Sequence, residues 1–190
     1  LAELVRAGRL PSVDKRLPEQ PLVVPVVERA GDYGGVWRRA FLGPADANNY
    51  VRVVYDSLFR FSPDGSKLEP KIASAAEPSA DFKVWTIKLR KGAKWSDGAP
   101  FGADDMMFWY KDVLLNKDLT ASLPGWMRNK DGSPALVEKI DDSTVRFTFQ
   151  EPATLFLTAL TATDGGDRTF AAFLPAHYLK KFHPSYAPKE

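Results

Sequence analysis

The sequence predicts a mixed α+β fold of the α/β class, and three observations support that prediction. Residues 84–89 alternate between polar and apolar side chains, as a half-buried strand does. Residues 103–115 repeat apolar side chains at helical spacing. Residues 135–140 and 144–149 alternate again on either side of Asp141-Asp142-Ser143, which is typical of a hairpin. We therefore expect strands and helices to share one core.

The first sixty residues are predicted to form a short helix, a tether and then a strand, a turn, a strand and a helix. Residues 1–20 place Leu1, Leu4 and Val5 on one helical face, and Pro11 ends that helix before a polar tether. The later elements are a strand at residues 21–28 that Pro25 confines to an edge, a strand at residues 36–42, and a helix at residues 49–58 with Asn48 as its N-cap.

The middle of the chain carries the strongest patterns. Residues 59–61 are predicted as a short strand, Pro63-Asp64-Gly65 as a turn and residues 68–76 as a short helix. In the strand at residues 84–89, the side chains expected to be buried are Trp85, Ile87 and Leu89. In the helix at residues 103–115, they are Met106, Trp109, Tyr110 and Val113.

The remaining chain is predicted to be mostly loop with two further helices. Residues 116–134 form a polar excursion that contains Pro124-Gly125-Trp126. Short helices are expected at residues 154–160 and 175–182. No internal repeat is visible.

The composition excludes several classes of function. A net charge of +2 is too small to indicate nucleic acid or an anionic membrane as partner. The absence of cysteine excludes a disulfide scaffold and a thiol nucleophile. The longest apolar run, at residues 22–27, is far shorter than the roughly 20 residues that span a bilayer. The basic cluster at residues 88–94 lies at a strand end, where charge usually keeps a sheet edge soluble.

The residue pairs that could carry catalysis or bind a metal have simpler interpretations. Asp104 and Asp105 begin a helix, where negative charge suits the helix dipole. Asp141-Asp142 sits in a turn, where aspartate is favoured by local hydrogen bonding. His177 and His183 are six residues apart and fall on different sides of a helix, so they do not predict a metal site. No catalytic residue, metal site or cofactor is expected, and the protein is not predicted to be an enzyme.

One aromatic side chain differs from the rest. Trp126 stands in a Pro-Gly loop outside any apolar stripe, which favours ligand stacking or a domain contact. A loop tryptophan also often folds back over the core, and the sequence leaves both interpretations open.

Residues 83–105, KVWTIKLRKGAKWSDGAPFGADD, strongly resemble the signature of family 5 of the extracytoplasmic solute-binding proteins of ABC transporters. This is the group that binds oligopeptides, dipeptides and nickel. Its pattern is T-F-x-L-R-x-G-x-x-(F/W)-x-D-G-x-P-(hydrophobic)-(T/S)-A-x-D. The positions that match are Thr86, Leu89, Arg90, Gly92, Trp95, Asp97, Gly98, Pro100, Ala103 and Asp105. Gly102 replaces the usual Thr or Ser and is expected to weaken the cap of the following helix.

The resemblance extends over about residues 22–182. Further landmarks lie at residues 54–65, 145–156 and 174–179. It implies a periplasmic binding protein-like II fold, present in part: the start of the first lobe and the extra domain of the family, with the second lobe absent. The implied division is an N-terminal helix and tether at 1–20, the first part of lobe one at 21–60, and the extra α+β domain at 61–190.

The function implied by this resemblance is that of a solute-binding subunit, here an N-terminal fragment, of a bacterial ABC importer. It would capture a peptide or similar small solute outside the cytoplasm and deliver it to the membrane permease, working as a monomer. If the protein is exported, its signal peptide has been removed from this chain. The positions implied to contact ligand are Gly43, Pro44, Ala45, Asp46 and, more loosely, Trp126. Trp95 and Asp97 are expected to be structural.

An alternative from a different class remains open. The aromatic strand face and Trp126 would also suit a free-standing module that binds a protein or carbohydrate surface and has no role in transport.

Overall fold

The computed structural model describes residues 2–26, 28–32, 34–43, 56–161 and 172–187. Six strands are present in this part of the chain: β1 Phe59–Phe61, β2 Leu68–Pro70, β3 Ala73–Pro78, β4 Val84–Leu89, β5 Leu136–Asp141 and β6 Thr144–Thr148. The α-helices are α1 Ala2–Arg6, α2 Ala103–Phe108, α3 Phe156–Thr161 and α4 Ala176–Leu179. Short 3-10 helices occupy Val13–Lys15 and Gly125–Met127, and a π-helix occupies Trp109–Leu114.

The core is built on an antiparallel sheet in the order β3-β4-β6-β5. The predicted alternation in β4 is confirmed, because Trp85, Ile87 and Leu89 are all buried while Lys88 is exposed. The predicted hairpin is also confirmed, as the antiparallel pair β5–β6. β6 also pairs with β4, where Phe147 lies opposite Trp85. β1 and β2 form a separate two-stranded sheet across the predicted turn at Pro63-Asp64-Gly65.

The helix that covers this sheet changes type halfway. α2 ends at Phe108 and continues as the π-helix, in which the N–H of Leu115 donates to the carbonyl of Tyr110, five residues back, at 3.0 Å. Met106, Trp109 and Tyr110 are buried as expected, but the buried side chain of the last turn is Leu114. Val113, the expected member, is only half-buried, since the wider π-turn rotates the stripe by one position. The Tyr110 hydroxyl donates to Ala135 at 2.9 Å, and burial raises the pKa of that phenol.

The helix predicted at residues 68–76 is wrong, because this segment forms β2 and β3 instead. β3 pairs with β4, and Ala73 is fully buried against that strand. Small alanine side chains fit the edge of a sheet, and the available ladder partner outweighs their helical propensity. The helices predicted at the N-terminus and at residues 103–115, 154–160 and 175–182 are correct in place but differ in their ends.

Two strands predicted near the N-terminus are also absent from the described residues. Residues 21–26 and 34–43 belong to no sheet, and several of their apolar side chains are largely exposed, including Val23, Val36 and Leu42. A β-branched sequence is not sufficient for a strand, because the backbone also needs a ladder partner. The helix predicted at residues 49–58 lies outside the described residues up to residue 55, and residues 56–58 are not helical.

Within the described ranges, no helix is both long and apolar enough to cross a membrane. The same ranges contain no cluster of three or more histidine and acidic side chains that could hold a metal ion.

Candidate functional site

Two residues of the signature, Trp95 and Asp105, form a junction at the buried carboxylate of Asp105. Asp105 is only 5% exposed and accepts three hydrogen bonds: from the backbone N–H of Gly102 at 3.0 Å, from Nε1 of Trp95 at 3.1 Å and from the backbone N–H of Ala176 at 3.0 Å. The first bond caps α2, the second holds the preceding turn and the third caps α4. Asp105 therefore joins three segments, and both of its carboxylate oxygens accept structural hydrogen bonds.

Trp95 and Asp97 hold the same junction from the outside. The Trp95 ring lies 6.0 Å from that of Phe173 and 6.3 Å from that of His177. Asp97 Oδ2 lies 2.7 Å from Nε2 of His177. The backbone N–H of Ala99 and the His177 ring lower the pKa of Asp97. The expectation that Trp95 and Asp97 are structural agrees with these contacts.

Gly102 has a steric role that the cap rule does not predict. A Cβ atom at this position would lie 2.8 Å from the backbone oxygen of Asp142, which also accepts the N–H of Ala103 at 2.9 Å. The helix end is thus pressed against the β5–β6 turn. Because glycine has no side chain, only the Asp105 half of a capping box exists here.

The other acidic and histidine candidates are also occupied by structural contacts. Asp104 and Asp142 both pair with Nζ of Lys139, at 3.0 and 2.7 Å. Asp141 accepts the N–H of Ser143 at 2.7 Å. Nε2 of His183 lies 2.8 Å from the backbone oxygen of Asp112.

The basic cluster at residues 88–94 serves a different purpose from the one expected. Arg90 Nη1 donates to the carbonyl of Gln20 at 2.9 Å, and Lys94 Nζ donates to that of Lys15 at 2.7 Å. Gly92 has φ +75°, and a Cβ atom at this position would lie only 3.4 Å from the backbone nitrogen of Glu19. The absence of a side chain therefore lets the tether pass close to the turn. These side chains tie the N-terminal tether to the turn after β4.

One cleft with binding character lies at Trp126. It encloses about 350 Å³ between the Gly125–Met127 helix and the chain that leads into α3. Trp126 is half-buried and stacks on Trp109 with ring centroids 6.0 Å apart and planes at 4°, while Phe156 tilts against it at 5.8 Å. Trp126 therefore packs over the core, as one of the two interpretations expects, and also lines a cleft; its contact with a ligand stays a prediction.

The rest of the cleft combines an apolar floor with a charged rim. Phe149 and Phe156 are buried at the base, and Leu155 is 73% exposed at the edge. Arg128, Lys130 and Glu151 add two cations and one anion. An apolar wall with a few charged groups is the ordinary composition of a small-molecule site. This arrangement can hold an amphipathic solute but contains no nucleophile paired with a base.

Two contacts position the walls of the cleft. Asn129 Oδ1 accepts the N–H of Gln150 at 3.0 Å, which links the Trp126 side to the chain that follows β6. The π-helix places Trp109 behind Trp126. Sequence reasoning missed Arg128, Lys130, Glu151 and Leu155, although Asn129 to Gly132 and Glu151-Pro152 carried recognisable turn signals.

The remaining predicted ligand positions are only partly described. Gly43 is half-buried at φ +149° and is not among the residues that line the Trp126 cleft. Pro44, Ala45 and Asp46 lie outside the described residues.

Comparison with known proteins identifies the family of this chain. Residues 67–182 match the family described as "Bacterial extracellular solute-binding proteins, family 5 Middle". The periplasmic alpha-galactoside-binding protein of Rhizobium meliloti (strain 1021) is 33% identical over 208 residues, which covers 97% of this chain and 29% of that protein. The periplasmic oligopeptide-binding protein OppA of Escherichia coli (strain K12) is 32% identical over 125 residues, or 60% of this chain and 23% of its own.

Solved structures agree. An oligopeptide-binding protein OppA superposes with a TM-score of 0.87 at 42% identity, over 98% of this chain and 28% of its own. The periplasmic binding protein MelB of agrobacterium fabrum C58, in complex with stachyose, gives a TM-score of 0.69 at 28% identity, over 100% of this chain and 30% of its own. These neighbours confirm the predicted fold class, and the chain spans less than a third of the length of each of these relatives. The chain belongs to family 5 of the bacterial extracellular solute-binding proteins.

Proposed function

We propose that this chain forms the N-terminal part of a solute-binding subunit of a bacterial ABC importer. The observation that carries the proposal is the family match over residues 67–182, in a chain whose signature residues make the junction described above. The subunit works outside the cytoplasm, in the periplasm, and delivers its solute to the membrane permease. Catalysis has no part in this function.

The Trp126 cleft supplies one wall of the solute site in this proposal. Its volume of about 350 Å³ suits a few residues or sugar units, not a macromolecule. The loop with Gly43, Pro44, Ala45 and Asp46 supplies a second set of contacts. The division into 1–20, 21–60 and 61–190 remains part of the proposal, as does a monomeric state, which size-exclusion chromatography with light scattering would test.

A peptide is the leading solute class, supported by the likeness to the oligopeptide-binding protein OppA. The charged rim suits a zwitterion, because Arg128 and Lys130 can attract a carboxylate and Glu151 an ammonium group. An oligosaccharide is the second candidate. It is supported by the likeness to the alpha-galactoside-binding protein and to MelB, and by Trp126, whose ring suits a sugar face.

Titration calorimetry tests the proposal and separates the two solute classes. The protein is the longest reading frame that contains this chain, and the probes are trialanine and stachyose. We expect one probe to bind with a dissociation constant in the micromolar range or below. Arg128→Ala should weaken trialanine binding about tenfold, a loss of about 1.4 kcal/mol in binding free energy, because the peptide carboxylate loses its cationic partner. Stachyose carries no charge, so its binding should not change.

The outcome that contradicts the proposal is equally specific. If neither probe nor a mixture of di- to pentapeptides binds, the importer function fails. If the 190-residue chain alone binds a protein or polysaccharide surface with the same affinity as the longer frame, the interaction module is the better explanation.

A further inference from the structure

Four turns of this protein share one hydrogen-bonding design. In each, the N–H of the fourth residue donates to the carbonyl of the first, and the N–H of the fifth donates to Oδ1 of a central aspartate. Both distances lie between 2.8 and 3.2 Å in all four. The turns have the sequences SPDGS at 62–66, SADFK at 79–83, WSDGA at 95–99 and NKDGS at 129–133.

The fourth residue of every turn has a positive φ, and only one of the four is not glycine. Gly65, Gly98 and Gly132 have φ of +72°, +89° and +84°, whereas Phe82 has φ of +56°. A bulky L-residue is disfavoured in this region because its Cβ crowds the backbone. A phenylalanine at a position where three sister turns use glycine therefore carries backbone strain that other contacts of this residue must offset.

The ring of Phe82 lies against Trp85, a residue that holds the cleft wall. Its centroid is 6.0 Å from that of Trp85, and Phe82 itself is 39% exposed. Phe82 and Trp85 both hydrogen-bond to Ala153. The backbone N–H of Ala153 donates to the backbone carbonyl of Phe82 at 2.9 Å, and the carbonyl of Ala153 accepts a hydrogen bond from Nε1 of Trp85 at 3.2 Å.

Ala153 is part of the cleft wall. It lines the cleft itself, and its carbonyl also accepts the N–H of Phe156, the first residue of α3, at 3.1 Å. Phe156 then carries the contact to Trp126. The order of contacts runs from the strained turn to Ala153, to Phe156 and to the Trp126 ring.

We propose that Phe82 is a positioning residue of the Trp126 cleft, an inference that rests on the solute-binding function proposed above. Its ring packs on Trp85, whose indole N–H donates to the Ala153 carbonyl, and through Trp85 it positions the wall at residues 152–156. The turn could form with glycine in its place, as its three sister turns do, so the ring acts on the wall and not on the turn.

Three variants test this role. Phe82→Gly removes the ring while keeping the residue that the other turns carry, so the turn still forms. Phe82→Tyr restores an aromatic ring. Gly65→Phe places the same strain in a sister turn, where a Cβ has open space, and should lower the thermal midpoint by about 2–4 °C.

Amide hydrogen exchange and calorimetry on the longest reading frame are the two measurements. In Phe82→Gly, we expect exchange at Ala153 and Phe156 to become at least about tenfold faster, with the β4–β6 ladder unchanged, because only the wall opens locally. The dissociation constant of the probe that binds, trialanine or stachyose, should rise about three- to tenfold in Phe82→Gly. Phe82→Tyr should restore both the exchange rates and the dissociation constant of the parent.

Several results would overturn the inference. Unchanged exchange at Ala153 and Phe156, faster exchange with unchanged affinity, or a Gly65→Phe variant as stable as the parent would each do so. Failure of the unsubstituted protein to bind any probe would instead overturn the proposed function, and the exchange comparison would still decide whether Phe82 holds the wall.

Discussion

The signature junction and the Trp126 cleft use the same residue types for different ends. At the junction, Trp95 donates its indole N–H to Asp105, and every nearby carboxylate has a partner within the protein. At the cleft, Trp126 packs on Trp109 while charged side chains surround an open volume. The difference teaches that the signature residues Trp95 and Asp105 hold the fold together, whereas Trp126 and its neighbours Arg128 and Lys130 lie outside the signature at residues 83–105.

The largest expected effect is the loss of the buried carboxylate. Asp105→Ala leaves three N–H donors without an acceptor, each worth about 1–3 kcal/mol when buried, so we expect a loss of about 3–5 kcal/mol in the free energy of unfolding. Denaturant titration measures it. Asp104→Ala is the matched control, since Asp104 is 78% exposed and its pair with Lys139 should be worth less than about 1 kcal/mol. Equal effects at the two positions would refute the assignment of the junction to Asp105.

The next effect sets steric fit against the capping rule. Serine is a better N-cap than glycine, yet Gly102→Ser would bring a Cβ to 2.8 Å from the Asp142 backbone. We expect the crowding to dominate and to lower stability by about 1–3 kcal/mol. Gly31→Ser, where a Cβ meets nothing within 4 Å, is the control. A more stable Gly102→Ser variant would show that the turn at Asp142 can move aside.

The smallest effect is a pH dependence at the outer edge of the junction. The pKa of Asp97 is lowered by the N–H of Ala99 and by His177, so its charged form favours the folded state. That contribution is present above its ordinary value of 3.8 and is lost as the pH falls through the lower folded value. The parent should therefore melt slightly higher than Asp97→Asn near neutral pH, by about 1–2 °C, and the two midpoints should converge below that pH. If the difference between the two melting midpoints persists in acid, the stabilisation by Asp97 comes from packing and not from its charge.

The parts of the fold that local patterns predict well are those that carry their own partners. β4, the β5–β6 hairpin and the start of α2 each combine a clear period with a neighbouring turn, and all three were predicted. The segment at residues 68–76 was misassigned, since its strands depend on pairing with β1 and β4.

The candidate site was harder to predict for the same reason. Trp126 stood out as a loop tryptophan, but the cleft exists only because the π-helix brings Trp109 behind it and Phe156 beside it. No local sequence rule predicts that a helix will widen at Trp109. The strain at Phe82 could not be predicted from the sequence either. It is recognised only when the hydrogen bonds and φ angles of the four turns are compared.

Trp95 stabilises the fold, whereas Trp126 is proposed to contact the solute. The direct test is calorimetric titration of Trp95→Ala and Trp126→Ala in the longest reading frame, with whichever of trialanine or stachyose binds the parent, corrected for the folded fraction of each variant. We expect Trp126→Ala to bind at least about tenfold more weakly per folded molecule, a loss of about 1.4 kcal/mol, and Trp95→Ala to bind as the parent does. Loss of affinity in Trp95→Ala with normal binding by Trp126→Ala would contradict the account.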